Sequence, residues 1–156
     1  MMHKLDSDIA TIFRQVAFYM FEQEVHHEFR RRGYLPQKEI GKIFKKHMRA
    51  YMGSAAKGSE NWWIYVGHFR YFFYVYSYAS GLLISKTLQK SVKKDLKFIK
   101  RVNTFLSTGL SDSPKNIFKK MGIDITKKSF WDKGLNEVEE DRKSTRLNSS
   151  HLVISY

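Results

Sequence analysis

The stretch HFRYFFYVYSYASG, from His68 to Gly81, places four tyrosines, three phenylalanines and one histidine in fourteen positions. Phenylalanine alone fills a core. A row of phenols beside an imidazole adds hydrogen-bond donors that packing does not need. Written on a helix, His68, Tyr71, Tyr74 and Tyr78 fall within one arc, while Phe69, Phe72, Phe73 and Tyr76 lie on other faces. Such a stripe suits the binding of peptide carbonyls and of an oxyanion that develops in a transition state. On spacing alone the same pattern also describes an aromatic core with hydroxyls at its rim.

Metal chemistry is the next possibility. His27-Glu28 begins like the H-E-x-x-H of zinc-protease helices, but Arg31 stands where the second histidine belongs. Two imidazoles one turn apart are what let a helix grip zinc from one face. His26 and His27 are adjacent, project about a hundred degrees apart on a helix, and do not chelate together. No residue of this chain is therefore assigned to a metal. The absence of cysteine removes disulfides, thiolate metal sites and a cysteine nucleophile. No Gly-rich phosphate loop and no serine elbow is present.

The formal net charge is +13. From Lys86 to Lys128 twelve basic residues face three acidic ones, Asp95, Asp112 and Asp124. A small basic module binding nucleic acid is one reading of that field. The lysines are spaced along amphipathic segments, which favours a solvated helical face instead. A membrane-associated module is another reading, because Trp62–Ile84 is 23 residues with Arg70 as its one formal charge. Arg70 at mid-span opposes it at about 2.5–3.5 kcal/mol. The tyrosines also run through the middle of the segment instead of forming belts at its ends.

The elements that must carry these residues read as helices. Ile9, Ile12, Phe13, Val16, Met20 and Val25 recur at helical spacing and predict one long helix over Asp8–Arg31. Gly33 is its expected stop. Pro36 is placed in the first turn of a second helix through Ile40, Ile43, Phe44, Met48 and Tyr51. Gly53–Ser59 is a loop by composition. After the aromatic run, Leu96, Ile99, Val102, Phe105 and Leu106 make a further stripe, closed by Gly109. Ser113-Pro114 predicts an N-cap and N1 pair, and Gly122 a residue just past the helix end. Ser129 with Asp132 resembles a capping box for a last helix carrying Phe130, Trp131, Leu135 and Val138. No strand pattern competes, so the class is all-α with about six helices.

Taken in order, TIFRQVAFYMFEQEVH, WWIYVGHFRYFFYVYSYASG, FLSTGLSDSPKNIFKKMGIDI and FWDKGL resemble the C-terminal region of the oligoendopeptidase F branch of the thimet oligopeptidase-like zinc metallopeptidases. The resemblance covers about Leu5 to Glu140. It implies cytoplasmic, mostly helical enzymes that cut short peptides inside a deep channel. It also implies zinc held by H-E-x-x-H and a later glutamate, all in a part of the family's sequence that precedes this region. On the same footing His68, Tyr74 and Tyr78 are the expected catalytic residues, with Tyr71 and Tyr76 binding the substrate backbone.

The chain is thus expected to hold the C-terminal portion of a larger peptidase catalytic domain in residues 1–140. Its Met1 reads as an internal methionine. Without the zinc ligands, the isolated chain is expected not to hydrolyse peptides, and its uncovered apolar faces to make it self-associate. The final DRKSTRLNSSHLVISY, residues 141–156, resembles a translated sequencing adaptor and is set aside as a non-native tail.

Overall fold

The computed structural model describes residues 2–71 and 73–152, and the side chains of 5–71 and 73–144. Expectations that touch Met1, Phe72 or residues 153–156 lie outside the described residues. The fold is all-α, with no strand among the described residues. Helix α1 (Met2–Ile9), a π-helical turn (Ala10–Arg14) and α2 (Gln15–Arg32) follow one another without a break. Then come α3 (Gln37–Met52), α4 (Tyr76–Lys94), α5 (Ile99–Thr108), α6 (Pro114–Lys120) and α7 (Lys128–Leu152). With the first three elements counted as one run, the described residues hold six helical runs. None of these helices is long and apolar enough to cross a membrane.

The chain divides into two compact units, one of Asp6–Ser80 and the other of residues 1–5 with 81–156. In the first, Phe18 and Phe21 of α2 pack on Phe44 of α3, with ring centroids 5.9 and 5.1 Å apart. Met48 and Val75 complete that core. Gly33 ends α2 as expected: its φ of 72° is left-handed and its N–H donates to Phe29 O at 2.8 Å. Pro36 sits one place earlier than predicted, at the N-cap of α3, where its carbonyl accepts from Glu39 and Ile40.

The apolar stripe of the first helix differs from the expectation. Phe13, Val16 and Met20 are about half exposed, while Gln15, Ala17, Phe18, Phe21 and Glu22 are buried. The large rings of Phe18 and Phe21 meet Phe44, and that contact rotates two polar side chains inward with them. Periodicity weighs apolar residues equally; packing favours the ones with a ring to meet.

In the second unit, Leu88 of α4 packs with Phe118 and Met121, and the Phe105 ring meets that of Phe118 at a tilt, 4.8 Å between centroids. Ser113 caps α6 by accepting from Asn116 N, with Pro114 at its first position. At the far end Gly122 N donates to Lys119 O at 2.9 Å and Ile123 N to Phe118 O at 3.0 Å, a Schellman closure. Ser129 does not cap the last helix. α7 already begins at Lys128, and the Asp132 carboxylate accepts from Lys128 Nζ at 2.7 Å instead. α7 continues through position 141, where Asp141 Oδ2 accepts from the buried Lys86 at 2.8 Å.

Candidate functional site

The aromatic run is not one helix. Trp62–Tyr65 and Gly67–Arg70 form two 3-10 turns, and α4 starts only at Tyr76. Two apolar side chains fasten the intervening loop to the core of its unit. Phe69 sets its ring against Phe18, Phe21 and Phe44 at centroid distances of 5.2, 5.0 and 6.3 Å. Val75 is wholly enclosed. Residues on the other side of the loop backbone are thereby turned outward.

Between those two points lies Phe73, the one non-glycine residue with positive φ among the described residues, at 56°. That conformation costs about 1–3 kcal/mol for a residue with a Cβ. Its ring meets Tyr19 edge-on at 5.9 Å and lies 5.1 Å from the His26 ring. Its N–H donates to Glu22 Oε1 on α2 at 3.1 Å. A hydrogen bond to a charged acceptor contributes about 1.5–3 kcal/mol, enough to offset the backbone strain. Burial pushes the Glu22 carboxyl above its ordinary value, and the Phe73 amide opposes that rise.

The outward face carries the predicted residues. Tyr78 Oη lies 3.2 Å from His68 Nε2, with the rings 5.0 Å apart. Tyr74 approaches both, at 5.8 Å from the His68 ring and 5.6 Å edge-on to Tyr78. Tyr71 extends the group, 6.5 Å from Tyr74. Tyr76 is the exception: it is well exposed, makes no ring contact with the others among the described residues, and uses its carbonyl to accept from Ser80. His68 and Tyr78 are half-buried, whereas Tyr71 and Tyr74 open to solvent. The Tyr74 hydroxyl has no protein partner among the described residues, so it is ready to donate. Chemically the cluster offers phenol donors around one imidazole, open on one side, which fits an oxygen with partial negative charge.

Glu22 is the side chain at this site to which the sequence does not point. A glutamate on a helix that also carries Glu24 and Glu28 gives no local sign of burial.

The residues do not fit a zinc site. Among the described residues no group of three or more histidine or carboxylate side chains is placed to hold a metal ion. Glu28, the glutamate of the incomplete motif, is paired with Arg31 at 2.6 Å, and His47 with Glu24 at 2.7 Å. These side chains are committed to ion pairs and hydrogen bonds within the fold.

A family model described as Peptidase family M3 matches residues 1–137. The chain is 29% identical over 150 residues to the plasmid oligoendopeptidase F of Lactococcus lactis subsp. cremoris, which covers 91% of this chain and 24% of that protein. It is 30% identical over 152 residues to the oligopeptidase PepF of Bacillus subtilis, covering 88% and 22%. With the group B oligopeptidase PepB of Streptococcus agalactiae the identity is 28%, over 88% of this chain and 24% of the other. The chain thus spans about a quarter of the length of the curated relatives it matches. No solved structure gives a significant match.

Proposed function

The chain belongs to peptidase family M3, and from that premise we propose that it is the substrate-side portion of a zinc metalloendopeptidase acting on short peptides. In this reading His68, Tyr74 and Tyr78 face the scissile carbonyl, and Tyr71 binds neighbouring backbone. The observation that carries the proposal is the convergence of these rings on one open face, with Tyr78 Oη 3.2 Å from His68 Nε2. Tyr76 enters only at the edge of that face, as a contact for substrate beyond the cluster. Zinc and the water it activates belong to parts of the full-length enzyme outside this chain, so the isolated chain is inactive.

The mechanism for this chain is electrostatic. When a peptide carbonyl becomes tetrahedral its oxygen gains charge, and phenol donors already in place stabilise that charge without reorganising. Tyr74 donates directly, since its hydroxyl has no partner among the described residues. Tyr78 donates after exchanging His68 for the substrate oxygen. The imidazole holds Tyr78 in orientation until then and hydrogen-bonds substrate backbone.

The test is a chimera in which residues 5–140 replace the matching C-terminal quarter of the Bacillus subtilis oligopeptidase, assayed on an internally quenched peptide. Chelator-sensitive cleavage is expected, with kcat lowered about 10²-fold or more by His68→Ala or by Tyr74→Phe with Tyr78→Phe. An active chimera that tolerates both changes within about threefold defeats the assignment. The isolated chain is expected to cleave nothing with zinc added. Chelator-sensitive cleavage by the pure chain defeats that part.

A further inference from the structure

We propose that Glu22 is the positioning residue of the His68–Tyr74–Tyr78 cluster, acting through the backbone amide of Phe73. Glu22 is 3% exposed, in the middle of α2. Its Oε1 accepts from Phe73 N, 51 residues along the chain. Its Oε2 is enclosed and has no hydrogen-bond partner among the described residues. A carboxylate brought into a core with half its acceptor capacity unused is a poor choice for stability alone, where an apolar side chain of similar shape serves better.

What the carboxylate does supply is a fixed acceptor for one N–H, at the residue whose backbone is left-handed. Phe73 must be aromatic to fill the space between Tyr19 and His26, so glycine is not available to take the left-handed turn. The strained conformation therefore needs an external hold. The residue that follows is Tyr74. With Phe73 at φ 56° the Tyr74 ring lies against His68 and Tyr78. With Phe73 relaxed to negative φ, the peptide plane rotates and Tyr74 leaves the cluster. His68 and Tyr78 stay together, because His68 precedes the core-packed Phe69 and Tyr78 sits in α4 next to the buried Ala79.

The inference depends on the peptidase reading only for the purpose of the cluster; the placement itself is tested without substrate or metal. In the isolated full chain, proton NOEs are recorded between the His68 ring and the Tyr74 and Tyr78 rings, beside a far-UV thermal melt. The wild type shows both cross-peaks. Glu22→Gln, which keeps an oxygen for the Phe73 amide, retains both. Glu22→Leu keeps the cooperative melt and the His68–Tyr78 cross-peak but loses the His68–Tyr74 one. Persistence of the His68–Tyr74 cross-peak in Glu22→Leu overturns the proposal. So does loss of the melt and of both cross-peaks together, which makes Glu22 a residue of the core and nothing more. Failure of the chimera to cleave peptides leaves these outcomes unaffected.

Discussion

Replacing Tyr78 by phenylalanine isolates one hydrogen bond. The ring remains, so its contacts with His68 at 5.0 Å and Tyr74 at 5.6 Å are kept. Only the 3.2 Å contact between Oη and His68 Nε2 is lost. A hydrogen bond within a protein contributes about 0.5–1.5 kcal/mol net. At 3.2 Å this one is long for a hydroxyl donor or acceptor, which favours the lower half of that range, about 0.5–1 kcal/mol. For a unit the size of residues 6–80, 1 kcal/mol moves Tm by about 4–8 °C, so a fall of roughly 2–8 °C is expected. Tyr74→Phe removes a hydroxyl with no partner among the described residues from a ring that is 48% exposed, and should stay within about 0.5 kcal/mol of wild type. Both melts are followed by tryptophan emission in a Trp131→Phe background, leaving Trp62 and Trp63 to report on this unit. In the active chimera the two variants should then separate: Tyr74→Phe lowers kcat without lowering Tm, and Tyr78→Phe lowers both. Coincident wild-type and Tyr78→Phe melts, or an equal loss in Tyr74→Phe, refute the reasoning.

Gly134 and Gly81 form a matched pair. A Cβ at Gly134 in α7 would stand 2.7 Å from the Leu83 carbonyl oxygen and 3.1 Å from Thr87 Oγ1, whereas at Gly81 in α4 it meets nothing within 4 Å among the described residues. Overpacking of about 1–3 kcal/mol against a helical gain of up to about 1 makes Gly134→Ala destabilising in urea melts, and Gly81→Ala stabilising by about 0.5–1; the same sign in both refutes the packing argument. Asp112 accepts from Asn116, Lys120 and the Ser113 amide, which lowers its pKa from 3.8 to about 2. A depressed folded value means this stabilisation is present above the unfolded pKa and is lost as pH falls from near 4 through about 2. The stability gap between wild type and Asp112→Asn should therefore close across that window, and a gap independent of pH excludes the cause given. Phe13, Val16 and Met20 stand half exposed on one side of the first helical run, and Leu96, Leu106 and Leu110 are exposed in the other unit. Association through such faces is opposed by a net charge of +13, so sedimentation should show self-association growing as salt shortens the Debye length below about 10 Å. A monomer at every salt concentration rules this out.

Local signals in the sequence are readable where one residue settles the backbone. Gly33, Ser113-Pro114 and Gly122 all end or begin helices as their chemistry dictates. Ile40, Ile43, Phe44, Met48 and Tyr51 face the core of α3 because nothing in that helix competes with the stripe. Where a long-range contact decides, the local signal is insufficient. The face of α2 follows Phe44, which is 23 or more residues away from its partners. Ser129 has a capping pattern, but the helix starts ahead of it and Lys128 takes the Asp132 carboxylate. The chemistry of the candidate site is legible as residue types, and four of the five predicted side chains are neighbours. Their conformation is not, because the loop is held by Glu22, whose role has no trace in its local sequence.

That loop also explains why a helical reading groups His68, Tyr74 and Tyr78 for an incomplete reason. On one continuous helix His68 and Tyr78 share an arc, but ten residues separate them by about 15 Å along the axis. An imidazole and a phenol so placed line one face and never touch. The contact at 3.2 Å requires the helical path to be interrupted between the two residues, and it is: the 3-10 turn ends at Arg70, Phe73 is left-handed and α4 starts only at Tyr76. Sharing a helical arc gives a stripe for binding an extended backbone; breaking the helix gathers His68, Tyr74 and Tyr78 into one cluster. On the proposed reading, donors gathered on one open face are what a tetrahedral intermediate needs, and the break in the helix is the feature that gathers them. Restoring the helix would undo it: with Phe73 forced to helical dihedrals, the stripe remains and the His68–Tyr78 contact is lost, and on the proposed reading the preference for the transition state over the bound peptide is lost with it.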